Sequence, residues 1–331
     1  MCSEETLRNL ELLGISVRRA LLPVLGILLA SLGCQGTKKE TQRGDLTRDL
    51  LNLDQKNGWR ILVHGMDELS YFSPSDGKLV VVYSRFSEPI QSWIGFGSLR
   101  PDGKKLVLAT EASGHASLRI VDIGSGKKEI VLSRRYLFGP RWSPDGKRIA
   151  FASRSQASGN FDLNVYEDGT ANVSQIVAGE LPSGEGYFDW SPDGKKILYE
   201  SETGDLRIVD IQSREKQAVA KGSYPKWSPN GQLICYQKSG EDAFILQNLE
   251  TGQSRTILVG EDASSPTWSP DSRYIAYSRP YGAIAKKIQD ASLLTDTRGD
   301  LWVMDTETNL AEKVFTASES IYPTSWGPIA R

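Results

Sequence analysis

The sequence predicts an all-β fold, a ring of six four-stranded antiparallel blades that is closed when the C-terminal strand joins the first blade. Three observations predict it. A turn motif close to SPDG recurs about every 40 residues, apolar runs of strand length flank each copy, and the two chain ends match two parts of one incomplete repeat. Self-similarity at a fixed period determines the architecture of a whole chain, so the repeats carry the prediction.

The composition is that of a folded globular protein. Hydrophobic residues make up 39% of the 331 residues and charged residues 24%, which excludes disordered, collagen-like and polytopic membrane classes. The 39 Lys and Arg nearly balance the 41 Asp and Glu, so the basic surplus typical of nucleic-acid-binding domains is missing. We therefore expect no nucleic-acid partner.

Residues 1–33 are predicted to be a lipoprotein signal peptide. An uncharged apolar run over residues 20–33 follows Arg18 and Arg19, which is the order of a secretory signal. The run is shorter than the roughly 20 residues of a membrane-spanning helix. It ends in a Gly-Cys step at Cys34 that resembles the bacterial lipobox, so Cys34 is the predicted lipidation site. The alternative is a buried helix in which Cys34 is incidental.

Residues 34–57 are predicted to be a polar tether between the lipid anchor and the folded body. They are polar and mix both signs of charge, as expected of a linker. After cleavage Cys34 and Cys235 are the remaining cysteines, and one of them carries lipid, so we expect no internal disulfide. Gln35 follows the lipidated position where inner-membrane lipoproteins of enteric bacteria have Asp, which favours the outer membrane.

Residues 58–331 are predicted to form the ring of blades. The turn motif recurs with its proline at five positions: Pro101, Pro144, Pro192, Pro229 and Pro270. In such a turn proline presets φ, the aspartate side chain binds the local backbone, and glycine takes the positive φ. The strand after each turn is apolar on both faces, so each blade must pack between two others.

A second hairpin completes each repeat as a four-stranded meander, and copies packed face to face around an axis form a β-propeller. The first unit, from Asn57, lacks an inner strand, and the missing strand matches the approach to Trp326 at the C-terminus. Closure by that strand gives six blades. One repeat column holds five tryptophans, which we assign to core packing rather than to a ligand cage: Trp142, Trp190, Trp227, Trp268 and Trp326.

The repeat WSPDGK followed by an apolar strand resembles the TolB-type (WD40-like, PD40) propeller repeat family. The resemblance covers about residues 57–331 and rests on five turn motifs. It implies a six-bladed propeller in a bacterial cell envelope, on the periplasmic side. With the predicted anchor at Cys34, it implies a lipid-anchored protein that touches the membrane through its lipid alone.

The sequence contains few of the residues and motifs that enzymes commonly use for catalysis. His64 and His115 are the two histidines, and the HExxH, paired CxxC and GxSxG motifs are absent. We therefore predict no enzyme, no catalytic residue, no metal and no cofactor. Cys235 shares a column with small apolar residues and is predicted to be a buried apolar residue.

Two features are candidate partner-binding surfaces. The residue before the tryptophan column varies where its neighbours repeat, and it includes Arg141, Asp189 and Lys226 near the channel. The alternative is that these side chains only satisfy a polar channel. The second feature is the extra length between Arg279 and Leu301, which could form a short helix or a mobile loop. Its candidate contact residues are Tyr281, Lys286 and Lys287.

These observations predict a monomeric, non-catalytic module that binds or scaffolds an envelope protein or peptide. The alternative is a propeller that binds or cleaves a glycan with Asp189 and nearby carboxylates in the channel. Two well-placed carboxylates suffice for glycoside hydrolysis. The repeat alignment supplies one acid in the channel column, which weighs against the glycan-cleaving alternative.

Overall fold

The computed structural model describes ten segments of the chain: 58–65, 68–74, 77–84, 86, 93–112, 115–182, 188–260, 262–280, 299–318 and 320–328. Within them the fold is six four-stranded antiparallel sheets. Among these residues no helix is long and apolar enough to cross a bilayer. Residues 1–57, with the predicted signal peptide, Cys34 and the tether, lie outside the described residues, so those assignments stay predictions.

The blades follow one another along the chain. The strands of blades 1 to 3 are β1 Trp59–His64, β2 Glu68–Ser73, β3 Lys78–Ser84, β4 Trp93–Leu99, β5 Lys105–Ala112, β6 His115–Asp122, β7 Lys128–Arg134, β8 Leu137–Trp142, β9 Arg148–Arg154, β10 Phe161–Glu167 and β11 Val173–Leu181. The strands of blades 4 to 6 are β12 Phe188–Trp190, β13 Lys196–Glu200, β14 Asp205–Asp210, β15 Lys216–Lys221, β16 Ser223–Trp227, β17 Leu233–Gln237, β18 Ala243–Asn248, β19 Ser254–Leu258, β20 Ser264–Trp268, β21 Tyr274–Pro280, β22 Gly299–Asp305 and β23 Ala311–Thr316.

The last strand closes the ring as the sequence predicts. Strand β24, Tyr322–Pro328, pairs antiparallel with β1, and Trp326 lies opposite Ile61. Blade 1 therefore consists of β24, β1, β2 and β3, so it draws its inner strand from the C-terminus. The prediction of a six-bladed propeller with four-stranded blades is confirmed.

The turn motif works through its side chains. In blade 4 the Ser191 hydroxyl donates to Asp193 at 2.6 Å and accepts the Lys196 N–H at 2.9 Å. Asp193 accepts the Lys195 N–H at 2.9 Å, and Gly194 takes a φ of +66°. Serine and aspartate therefore hold the turn through hydrogen bonds, while glycine supplies the left-handed residue.

The core lies between blades. The described residues form six clusters of buried side chains, and each cluster joins two neighbouring blades. In one of them Trp190 of blade 4 packs with Ala150 and Leu163 of blade 3. The free thiol of Cys235 is fully buried in the cluster between blades 5 and 6, which confirms its prediction as a buried apolar residue.

Candidate functional site

The residue before the tryptophan column faces the axis in every blade. All six such residues line one cavity of about 170 Å³ at the centre of the ring, together with Thr324: Ser98, Arg141, Asp189, Lys226, Thr267 and Ser325. The sequence places them in one column, and the structure brings them together across the channel. Thr324 was missed because it stands one residue outside that column.

Several of these side chains tie inner strands of different blades together. Asp189 accepts the main-chain N–H of Trp227 at 2.8 Å, and the Ser98 hydroxyl accepts that of Trp142 at 3.3 Å. The Arg141 guanidinium donates to the Thr324 carbonyl at 3.2 Å, from blade 3 to blade 1. These three side chains of the polar wall thus satisfy backbone groups of other inner strands.

Lys226 differs from the rest of the wall. Its side chain is 5% exposed, and its Nζ has no hydrogen-bond partner among the described residues. Burial, followed by the nearby Arg141 charge, lowers the pKa of Lys226 to about 7, although Asp189 and Cys235 act in the opposite direction. Cys235 lies directly opposite Lys226 in the β16–β17 pair, and burial raises the pKa of its thiol.

The channel opens through a wider mouth on the side of the SPDG turns. This mouth encloses about 390 Å³ and is lined mainly by the repeated tryptophans and prolines. The mouth and the inner cavity share Asp189, Ser325 and several tryptophans, so they are continuous. The sequence assigned the tryptophans to packing, and packing is confirmed, but the structure shows that they also line the mouth.

The rim of the mouth is held by contacts between blades. The Arg148 guanidinium of blade 3 donates to the Gly194 carbonyl of blade 4 at 2.8 Å and lies 5.1 Å from the centroid of the Trp190 ring. Arg100 of blade 2 lies over the Trp142 ring at 5.9 Å. Cations over indole rings join adjacent blades at the same level as the mouth.

Other predicted contact residues lie outside the described part of the chain. Tyr281, Lys286 and Lys287 fall between the end of β21 at Pro280 and the start of β22 at Gly299. The extra length therefore joins the second and third strands of blade 6, as expected. Because β21 runs away from the SPDG turns, the chain leaves the blade at the end opposite to the mouth.

The described residues show no group of three or more potential metal ligands. Among those that line the mouth and the inner cavity, Asp189 is the one carboxylate, and it is hydrogen-bonded to backbone. Within this lining, the paired carboxylates that glycoside hydrolysis uses are not formed.

Fold and site together define a repeat-built six-bladed β-propeller with an open, polar central channel. The chain belongs to the TolB beta propeller domain family (PD40), whose match spans residues 68–330. The expected family is thereby confirmed.

Solved structures with the same fold include TolB from Acinetobacter baumannii, at 20% identity and a TM-score of 0.66, covering 82% of this chain and 66% of that one. A putative TolB from Agrobacterium tumefaciens is 18% identical with a TM-score of 0.58, covering 81% and 92%. A nidogen/laminin complex has a TM-score of 0.60 at 10% identity, covering 82% and 98%. At these identities the likeness shows the fold alone.

Proposed function

We propose that the chain is a bacterial envelope lipoprotein whose propeller binds a protein or peptide partner at the mouth and catalyses no reaction. The observation that carries the proposal is the mouth itself. Tryptophan and proline side chains line a continuous opening, and a polar channel lies beneath it. Aromatic and proline surfaces bind peptides well because they are apolar and lose little conformational entropy.

The frame under the mouth supports this role because it is rigid. Inner strands are tied by side-chain bonds such as that from the Trp227 N–H to Asp189, and the turns by bonds such as that from Ser191 to Asp193. A preorganised surface loses less entropy when a partner binds. Among structures with this fold, one is a complex of two proteins, nidogen and laminin.

The anchoring part of the proposal rests on the sequence of residues 1–57. Cys34 at the end of the apolar run is the site we propose for the lipid, and residues 34–57 are the proposed tether. The propeller then lies on the periplasmic side, with the outer membrane favoured, and works as a monomer. Metabolic labelling with a radioactive fatty acid tests the anchor, since Cys34→Ala should abolish labelling.

Crosslinking pull-down from envelope extract tests partner binding. The full chain is compared with a double variant of exposed mouth prolines, Pro144→Glu and Pro229→Glu. The matched control is Ala171→Glu with Gln253→Glu, two exposed positions in outer hairpin turns on the same side of the ring. We expect one partner that the mouth variant loses by about tenfold or more and the control retains, because two buried charges oppose an apolar contact.

Equal recovery with the mouth variant would place the partner elsewhere and overturn the proposed site. A further bait replaces Pro280 to Thr297 by a short Gly-Ser turn, which removes Tyr281, Lys286 and Lys287. Loss of the partner from this bait alone would move the site to the opposite end of the channel. No partner with any bait would contradict the protein-binding function.

Glycan binding remains the second candidate, because tryptophans line the mouth and sugar rings stack on the faces of indole rings. Tryptophan fluorescence during titration with envelope polysaccharide tests it. Saturable quenching, together with an empty pull-down, would favour the glycan. Cleavage is not proposed, since Asp189 stands without a second carboxylate in the described lining.

A further inference from the structure

The wall of the inner cavity encloses an ammonium group that none of the described residues satisfies. Lys226 lies at the end of β16, is 5% exposed, and lines the cavity with its Nζ unpartnered among the described residues. An isolated buried charge is unfavourable by several kcal/mol unless a partner compensates it. Lysine at this position therefore points to a partner other than the described residues.

The nearest carboxylate does not fill this role. Asp189 is engaged with the Trp227 N–H at 2.8 Å, and it forms no hydrogen bond with Lys226. Arg141, on the other side, adds a second positive charge and donates to the Thr324 carbonyl. With Lys226 protonated, Arg141, Asp189 and Lys226 together carry one net positive charge.

A second donor faces the same cavity. The Ser325 hydroxyl is buried and has no hydrogen-bond partner among the residues that the structure describes. Lys226 and Ser325 come from blades 5 and 1, so their two polar groups line the wall from different sides of the ring. An oxygen ligand with two acceptor atoms suits this arrangement.

We propose that this cavity binds a carboxylate, which the Lys226 ammonium and the Ser325 hydroxyl hold beside the Arg141 guanidinium. A carboxylate has one negative charge and balances the one net positive charge of the wall. A dianion such as sulfate would leave excess negative charge next to Asp189. The volume of about 170 Å³ suits a small group.

Access is through the mouth, which shares Asp189, Ser325, Trp227 and Trp326 with the inner cavity. Two sources carry the required chemistry: a free organic acid, and the C-terminal carboxylate of a peptide that enters the mouth. The site goes beyond the proposed function because it needs no protein partner to be occupied.

Binding should depend on pH through Lys226. The groups that face its ammonium are Arg141, Asp189 and the Cys235 thiol. Lys226 has a pKa of about 7 without ligand. A carboxylate binds the protonated form, so its affinity should fall by about 30-fold from pH 6 to pH 8.5, following the protonated fraction.

The test is isothermal titration calorimetry of the full chain with sodium acetate at pH 6 and pH 8.5, at constant ionic strength maintained with chloride. We expect saturable binding at pH 6, a fall of about 30-fold at pH 8.5, and a loss of at least about tenfold in Lys226→Met. The matched control is Lys221→Met, whose side chain is 81% exposed and which should bind acetate as the unmodified chain does. Sodium sulfate, a dianion at both pH values, is the comparison anion and should bind more weakly.

Triglycine with a free or an amidated C-terminus separates the two sources. Preference for the free peptide over acetate assigns the site to a chain end, and tighter acetate binding assigns it to a free acid. A second measurement does not depend on the variants: ¹³C NMR of the Lys226 ε-carbon should show acetate raising its pKa. Absence of saturable binding, binding that Lys226→Met retains, or an unchanged pKa would overturn the proposal. Failure here leaves the partner pull-down unaffected, so the two proposals fail separately.

Discussion

Single residues set the chemistry of the channel. The wall positions are equivalent in the repeat, yet their side chains do different things. Asp189 accepts a backbone N–H from the next blade, whereas Lys226 stays without a partner among the described residues. The short Asp189 side chain meets the adjacent strand, whereas the longer Lys226 side chain is buried in the wall of the cavity.

The pH dependence of stability should reveal the buried ammonium. Burial lowers the pKa of Lys226 from 10.5 to about 7 in the folded state, so between these values the unfolded chain binds more protons. The contribution of Lys226 to the free energy of unfolding therefore rises with pH between about 7 and 10.5, and it does not change below that range. We expect Lys226→Met to raise the free energy of unfolding by about 1–4 kcal/mol at pH 6, with a smaller gain at pH 9.5.

Urea denaturation at pH 6, 8 and 9.5 measures this difference. Lys221→Met is the control, since an exposed lysine should change stability by less than about 0.5 kcal/mol at every pH. If Lys226→Met raised the free energy of unfolding by the same amount at every pH, the folded chain would not hold a buried, charged Lys226.

At the scale of elements, the inner strand of most blades is bulged. The register shifts just before Arg141 in β8, before Lys226 in β16 and before Thr267 in β20. In these strands a residue with positive φ, Tyr224 for example at +53°, precedes a proline. The bulge changes the direction of the side chain that follows it. That side chain belongs to the residue of the channel wall, which therefore faces the axis.

Inner strand β4 leaves no room for a side chain at Gly97. A Cβ there would lie 2.9 Å from the Val107 carbonyl oxygen and 3.1 Å from Leu69. Since backbone cannot yield easily, Gly97→Ala should lower the free energy of unfolding by about 1–3 kcal/mol. Gly124→Ala is the control, because its nearest atom, on Asp122, is 3.7 Å away. Urea denaturation measures the free energy of unfolding of both variants. Equal losses of stability would contradict the close approach of Gly97 to the Val107 carbonyl.

At the scale of the whole molecule, the ring depends on one non-covalent closure. Strand β24 pairs with β1, and the Thr324 hydroxyl donates to the Leu62 carbonyl at 3.3 Å. Trp326 also packs on the cluster shared by blades 1 and 6. The chain ends of the propeller therefore meet inside one sheet, and this single sheet joins the last blade to the first.

Truncation tests this closure. A chain that ends at Ser320 loses β24 and should unfold at least about 10 °C lower, with a broader transition, because blades 1 and 6 lose their shared strand. A chain that ends at Pro328 keeps β24 and should melt as the full chain does. Differential scanning calorimetry measures both. Equal melting of the two would show that closure contributes little.

The sequence by itself determined the number of blades, the turns and the closing strand. The period of the SPDG motif and the split repeat at the chain ends are patterns within single repeats. Each specifies which strands pair within one blade, whatever the position of that blade in the ring. The tryptophan column and the buried Cys235 followed from the same repeat alignment.

Only the tertiary structure decided what the channel residues do. Repeat alignment gives the position of Arg141, Asp189 and Lys226 along a blade, but the distances between them depend on blades that are far apart in sequence. Side-chain length and the bulges then decide that Asp189 binds the Trp227 backbone while the Lys226 ammonium lines the cavity. For the same reason the sequence assigns the tryptophans to packing alone, and only the assembled ring shows that they also line the mouth.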